Sequence, residues 1–219
     1  METKSDIYPS KLIERRWISK KAFEIRIEKP PLFTYKPGQR ICLSYNTVER
    51  DYSMVSHPGN EDLLLCIRKV EGGRLSPQLS SASLNTRLSF SGPHGYFTFQ
   101  PSNRPAVFMA TGTGIAPFCS MVGSGVTDIT LLHGVTLVED LYYADFLRSA
   151  VKIYVPCLSK PDGSSKEYFY GRVTDYLQTH LAPGQYDFYL CGRSEMIRGA
   201  TLLIDERFPG SFIYTEQYY

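Results

Sequence analysis

The 219-residue sequence carries 24 Lys plus Arg against 22 Asp plus Glu, and a net charge of +2 argues against nucleic-acid binding by bulk electrostatics. Cys42, Cys66, Cys119, Cys157 and Cys191 are dispersed with no Cys-x-x-Cys pair, so neither a zinc site nor an iron-sulfur cluster is encoded and any one-electron carrier is a separate protein. Met1 begins a polar stretch without an apolar signal core, and no run approaches the roughly 18 apolar residues of a membrane span. The expectation is therefore a soluble, cytoplasmic protein with reduced thiols and, at about 150 residues per domain, one or two domains.

Residues 11–99 read as short strands at 11–18, 23–28, 40–45, 50–55, 63–69, 86–91 and 96–99. Turn chemistry separates them at Lys36-Pro37-Gly38-Gln39, His57-Pro58-Gly59-Asn60 and Gly92-Pro93-His94-Gly95. This spacing predicts an antiparallel sandwich or closed barrel. One helix, 76–83, interrupts the strands, with Ser76 as its N-cap and Pro77 in its first turn. Pro101-Ser102-Asn103-Arg104-Pro105 then reads as a linker, dividing the chain into domains 1–101 and 102–219. Beyond it, apolar runs at 106–110, 129–133, 153–156, 187–190 and 212–214 alternate with helical patterns at 115–122, 137–149, 173–179 and 193–208. That alternation predicts a doubly wound α/β domain whose ligands sit beyond the carboxyl ends of its strands.

Arg50-Asp51-Tyr52-Ser53 and Gly72-Gly73-Arg74-Leu75-Ser76 together supply what a bound flavin requires. Tyr52 offers an aromatic face to a planar ring, and Ser53 a hydroxyl donor to its reactive edge. Arg50 and the glycine pair offer a planar cation and unblocked backbone N–H groups to its phosphates. Thr111-Gly112-Thr113-Gly114 stands where the first strand of the second domain meets a helix, so its glycines would admit a second pyrophosphate. The pattern there is Gly-x-Gly-x-x-Pro, and a bare helix-start turn is the alternative.

Cys191 ends another strand of the same sheet, where its thiol would pack against a nicotinamide or be a buried structural cysteine. Ser159-Lys160 and Gly171-Arg172 would grip the 2'-phosphate of NADPH or be solvated charge. The ending Tyr214-Thr215-Glu216-Gln217-Tyr218-Tyr219 is aromatic where most chains are polar, and the second face of a flavin is the flat surface it would cover. His57, His94, His133 and His180 do not cluster and read as structural. Lys11, Arg15, Arg16, Lys20, Lys21, Arg68 and Lys69 form either a basic rim for an acidic partner or a solvated face.

In order, Arg50-Asp51-Tyr52-Ser53, Gly73-Arg74-Leu75-Ser76-Pro77, Gly92-Pro93-x-Gly95-x-Phe97, 110–117, Cys191-Gly192 with Met196, and Glu216-x-Tyr218 resemble the motif series of the ferredoxin-NADP(+) reductase family. The ending Glu216-Gln217-Tyr218-Tyr219 most resembles the bacterial reductases that serve ferredoxin or flavodoxin. The resemblance implies an N-terminal antiparallel β-barrel FAD domain and a C-terminal α/β doubly wound, parallel-sheet NAD(P) domain with a flavin-covering tail. It implies that Arg50 binds the FAD pyrophosphate, Tyr52 stacks on the ring, Ser53 hydrogen-bonds near N5, and Gly73 and Ser76 receive the phosphate. Thr111, Gly112, Thr113 and Gly114 would meet the NADP(H) pyrophosphate. Cys191 and Glu216 would line the nicotinamide pocket beside Ser53, and Tyr218, with Tyr219 beyond it, would be the displaceable cover. Two departures stand out: Thr136 replaces a common arginine after His133-Gly134-Val135, and Lys160 replaces an arginine after Ser159.

The expected activity is hydride transfer between NADPH, with NADH possible, and FAD, coupled to single-electron exchange with ferredoxin or flavodoxin. Ser53, Cys191 and Glu216 are the candidate catalytic residues. Two alternatives share the fold: the reductase component of an oxygenase or haem-protein system, and a non-catalytic flavoprotein subunit or redox sensor.

Overall fold

Alternation of inward apolar and outward polar residues organises the first half of the chain in the computed structural model, which describes residues 6–160 and 165–218. Six strands, β1 (Ile7–Trp17), β2 (Ala22–Glu28), β3 (Arg40–Tyr45), β4 (Val48–Ser53), β5 (Asp62–Arg68) and β6 (Arg87–His94), form an antiparallel sheet in the order β4-β3-β6-β1-β2-β5. The sheet curls until its edges meet: Met54, just past β4, bridges Leu65 of β5, and Val55 N donates to Leu64 O at 2.8 Å. Phe23, Ile25, Ile27, Ile41, Leu43 and Phe90 fill the interior. Helix α1 (Ser76–Ser81) lies on this barrel and buries Leu79.

The second half is a six-stranded, wholly parallel sheet. Its strands are β7 (Ala106–Thr111), β8 (Ile129–Val135), β9 (Ile153–Leu158), β10 (Phe169–Tyr170), β11 (Asp187–Arg193) and β12 (Phe212–Tyr218), in the order β10-β9-β8-β7-β11-β12. Helices α2 (Ala116–Gly123) and α3 (Ala144–Ala150) cover one face, and α4 (Val173–His180) and α5 (Ser194–Arg207) the other. Because both faces are covered, β7 and β11 are apolar almost throughout, as a buried parallel sheet requires. None of the helices among the described residues is long and apolar enough to cross a membrane.

One hydrophobic core spans the seam between the two sheets. Ala22, Val55 and Cys66 of the barrel pack in the same cluster as Ile115, Phe118, Cys119 and Met121 of the second half. Phe108 stacks on Phe118 with ring centroids 4.6 Å apart, an arrangement that contributes about 1 kcal/mol beyond burial alone. At the seam's far side, Ser19 Oγ meets Tyr142 Oη at 3.1 Å, and Tyr143 Oη donates to Glu24 Oε2 at 3.2 Å. Glu24 is buried and also accepts from Arg16 at 2.8 Å. Tyr143 takes φ 60°, a left-handed conformation that costs a non-glycine residue about 1–2 kcal/mol and is offset here by the hydrogen bond it delivers.

Several expected elements differ in the structure. The helix expected at 137–149 is split into a 3-10 turn, Val138–Asp140, and α3, because the left-handed Tyr143 breaks it to send both tyrosines across the seam. Residues 96–99 form no strand. Phe97 instead turns inward against Phe118 and Tyr189, while Tyr96 is 98% exposed. The expected turn Gly92-Pro93-His94 belongs to β6, where His94 pairs with Arg40. Ser76 is not an N-cap but the first helical residue, its Oγ accepting from Val70 N at 3.0 Å. The short β10 corresponds to no expected strand, and β12 runs to Tyr218 rather than ending at 214.

Candidate functional site

The flavin-directed residues lie on β4 and on the turn that follows β5. Antiparallel pairing sets Arg40 opposite Ser53, Ile41 opposite Tyr52 and Leu43 opposite Arg50. Arg50 is exposed and donates to the neighbouring Glu49 carbonyl at 2.6 Å, which leaves most of its fork facing outward. Tyr52 is half-buried against the barrel core, and burial pushes its hydroxyl up to about 12. Gly73 N donates to Val70 O at 3.0 Å, closing the tight turn that delivers Ser76 to the start of α1.

The nucleotide-directed residues gather at the carboxyl ends of the parallel strands. Thr111 leaves β7 and a single 3-10 turn, Gly112–Ile115, leads into α2. This turn is locked onto β11: Thr111 Oγ1 accepts from Arg193 N at 3.0 Å, and Gly114 lies flat against the backbone of Cys191 and Gly192. A β-carbon on Gly114 would overlap the Cys191 carbonyl and stand 2.8 Å from Gly192 Cα. On the opposite side of the sheet edge, Ser159 N donates to Val135 O at 3.0 Å and Lys160 N to Thr136 O at 3.2 Å. Pairing of β10 with β9 brings Arg172 to that same edge, so Ser159, Lys160 and Arg172 are all exposed together. Residues 161–164 and Tyr219 lie outside the described residues.

The two groups converge where β12 meets β4. Register places Glu216 beside Cys191 and Tyr218 beside Arg193. Ser53, 2% exposed, and the Tyr218 hydroxyl lie close together with the Cys191 thiol, yet Ser53 Oγ and Tyr218 Oη are both buried without a hydrogen-bond partner of normal geometry. A buried, unpaired hydroxyl costs about 1–3 kcal/mol. Two side by side leave polar atoms that a ligand's polar edge would satisfy, and a flavin ring, planar with a polar edge, fits that donor set. Burial raises the Cys191 thiol well above its ordinary value, with Glu216 adding to the effect, so the sulfur is a neutral packing atom. Burial likewise raises the Glu216 carboxyl, opposed chiefly by Arg40.

Arg40 belongs to no motif that marks it in the sequence. Its Nε donates to Asp51 Oδ2 at 2.9 Å and its Nη1 to Glu216 Oε1 at 3.0 Å, partners 11 and 176 residues away. With Gln39, His94, Tyr96, Tyr214 and Glu216 it lines a cleft of about 760 Å³ between the barrel and the last strand.

His133 lies inside β8, beneath the Thr111–Gly114 turn, rather than at a strand end. It is fully buried, with Nδ1 2.9 Å from Tyr154 Oη, and burial pushes its pKa down from 6.5 to about 3. The unfolded chain therefore binds one more proton than the folded protein between these values. The stability that His133 contributes by staying neutral is complete above about pH 6.5 and is lost progressively as the pH falls toward 3. A His133→Gln variant is expected to lose unfolding free energy less steeply between pH 6 and pH 4, by about 1.4 kcal/mol per pH unit, in urea titrations. Equal slopes would place the imidazole's protonation elsewhere.

Comparison with known proteins bears on both halves of the chain. Residues 9–99 match the Oxidoreductase FAD-binding domain family, and residues 108–201 the Oxidoreductase NAD-binding domain family. The toluate 1,2-dioxygenase electron transfer component of Pseudomonas putida is 30% identical over 94% of this chain and 66% of its own length. Ferredoxin-NADP reductase B of Sorangium cellulosum is 28% identical over 87% of this chain and 88% of its own. Among solved structures, a ferredoxin NADP+ reductase from Neisseria gonorrhoeae with bound FAD and NADP superimposes with a TM-score of 0.86, covering 99% of this chain and 100% of that one at 21% identity. The chain spans 66%, 62% and 59% of the length of three of the curated relatives it matches.

Proposed function

We propose that this chain, a member of the ferredoxin-NADP(+) reductase family by its FAD-binding and NAD-binding oxidoreductase domains, is a flavoenzyme exchanging hydride with NADP(H) and single electrons with ferredoxin or flavodoxin. Bound FAD supplies the conversion between a two-electron hydride and single electrons, with no side chain forming a covalent bond. Arg50 and Ser76 hold its pyrophosphate, Gly73, whose own N–H is taken by Val70 O rather than left unblocked, shapes the turn beside it, and Tyr52 supports the ring. Ser53 presents its hydroxyl to the reactive edge and, with Glu216, relays a proton. Thr111, Gly112, Thr113 and Gly114 receive the dinucleotide's pyrophosphate, while Ser159, Lys160 and Arg172 favour a 2'-phosphate over a bare ribose. Cys191 bounds the nicotinamide without titrating. We place the division between the two domains after residue 101, within the segment that joins the two sheets.

The observation that carries this reading is the pair of orphaned hydroxyls, Ser53 Oγ and Tyr218 Oη, buried where the barrel and the parallel sheet meet. A second reading, transfer to an oxygenase component, is favoured by relatives that are electron transfer components of dioxygenases. Both readings need a carrier from outside these residues, because the five cysteines are dispersed and no metal-binding cluster occurs among the described residues. Anaerobic mixing of the flavin-loaded protein with NADPH or NADH in a stopped-flow instrument is expected to bleach the oxidised flavin, faster with NADPH. Absence of bleaching with both would overturn hydride transfer and leave a non-catalytic flavoprotein. Titration with ferredoxin, flavodoxin or a Rieske-type protein then separates the two readings.

A further inference from the structure

β12 is an edge strand, hydrogen-bonded only to β11, and its last residues carry Glu216 and Tyr218 to the site. The end of such a strand opens at low cost unless something besides the ladder holds it. Arg40 is placed to do so. Its backbone pairs with Ser53 on one side and His94 on the other, which centres it between the flavin strand and the cleft. Its guanidinium lies flush on Gly95, where a β-carbon would stand 2.6 Å from Nη1. From there one planar fork spans two carboxylates, Asp51 on β4 and Glu216 on β12, at 2.9 and 3.0 Å. The Glu216 side chain is 11% exposed and Arg40 is its only salt-bridge partner among the described residues, so the ion pair is largely withdrawn from water.

We propose that Arg40 is a positioning residue: Asp51 anchors its guanidinium, and the guanidinium fixes the Glu216 carboxylate, setting the end of β12 against Ser53 by an ionic chain in addition to strand pairing. Its kinetic consequence rests on the reading that Glu216 acts in flavin reduction. Lysine cannot replace it fully, since a single ammonium lacks the two separated donors that reach both carboxylates. The groups facing Glu216 are Arg40 from β3, Asp51 from β4, His94 of β6 across the cleft, Cys191 from β11 and Tyr218 on its own strand. Among the described residues the two cleft walls contribute one permanent cation, Arg40. Removing it lets burial and Asp51 lift the carboxyl further, so any step needing ionised Glu216 moves to higher pH.

Arg40→Gln, Arg40→Lys, Glu216→Gln and the double variant Arg40→Gln/Glu216→Gln, all flavin-loaded, test this by hydrogen–deuterium exchange and by the pH profile of nicotinamide-driven flavin reduction. Arg40→Gln is expected to speed exchange over residues 212–218 at least tenfold and to raise the pH midpoint by about one unit. Arg40→Lys is expected to restore the midpoint but not the protection. Glu216→Gln should speed exchange as Arg40→Gln does, and the double variant no more than either. Unchanged exchange in Arg40→Gln overturns the proposal. Faster exchange with an unmoved midpoint also overturns it, reducing Arg40 to a brace. Should the parent protein not be bleached by either nucleotide, the functional reading fails on its own, and the exchange data with the double variant still decide whether the ionic chain holds the strand.

Discussion

A Gly114→Val variant is expected to bind FAD and yet give no response to either nicotinamide nucleotide. Gly114 lies on the backbone of the neighbouring strand, and even a single β-carbon would overlap the Cys191 carbonyl and approach Cys191 C to 2.7 Å. Backbone cannot rotate aside as a side chain can, so the turn must lift away from β11 or β11 must shift. Overpacking of this kind costs about 3 kcal/mol, at the upper end of the usual range. Gly192 across the interface offers no relief: its φ of +137° and its contact with Thr111 O, 2.9 Å from a would-be β-carbon, fix it equally. Apart from Tyr218, the flavin-directed residues stand on β4 and the turn after β5, in the other sheet. Urea unfolding and FAD titration should therefore show a lowered midpoint with near-parental flavin affinity, while stopped-flow bleaching disappears. Retained bleaching would mean that Thr111–Gly114 does not receive the nucleotide.

Replacing Ser53 with alanine is expected to slow nicotinamide-driven flavin reduction about 100-fold, the scale on which removal of one preorganised donor at a reacting edge acts. FAD affinity should change by less than about tenfold, because Arg50, Tyr52, Gly73 and Ser76 remain. The fold should tolerate the change or gain from it, since the Ser53 hydroxyl is buried without a partner and its removal relieves a desolvated group. Slow reduction together with unaltered or raised thermal stability would identify a hydroxyl kept for chemistry. Unchanged reduction would remove Ser53 from the mechanism.

Both halves of the architecture were legible because they rest on local periodicity: two in the barrel strands, and buried apolar runs alternating with helices in the parallel sheet. What escaped the sequence depends on contacts distant along the chain. Tyr143 breaks an otherwise reasonable helix to meet Glu24, 119 residues away. Residues 96–99 have the composition of a strand, but no ladder is open to them, and Phe97 is drawn to Phe118 and Tyr189 instead. β10 contains two residues, too few to show any period. In the aromatic ending the alternation Tyr214, Glu216, Tyr218 is itself a strand pattern, a signal that carries β12 to Tyr218. Among the site residues, Ser53, Cys191, Glu216 and Tyr218 come together, as do Ser159, Lys160 and Arg172, whereas Arg40 has partners that no spacing rule connects.

The shared core at the seam limits how this chain can be recombined. Grafting a foreign second half to change nucleotide preference would leave Ala22, Val55 and Cys66 facing surfaces shaped for another barrel, and would strip Glu24 of its tyrosine. Exchange confined to the rim that carries Ser159, Lys160 and Arg172 leaves that joint intact. The useful unit of transplantation in this chain is therefore the loop, and the two halves have to be moved together.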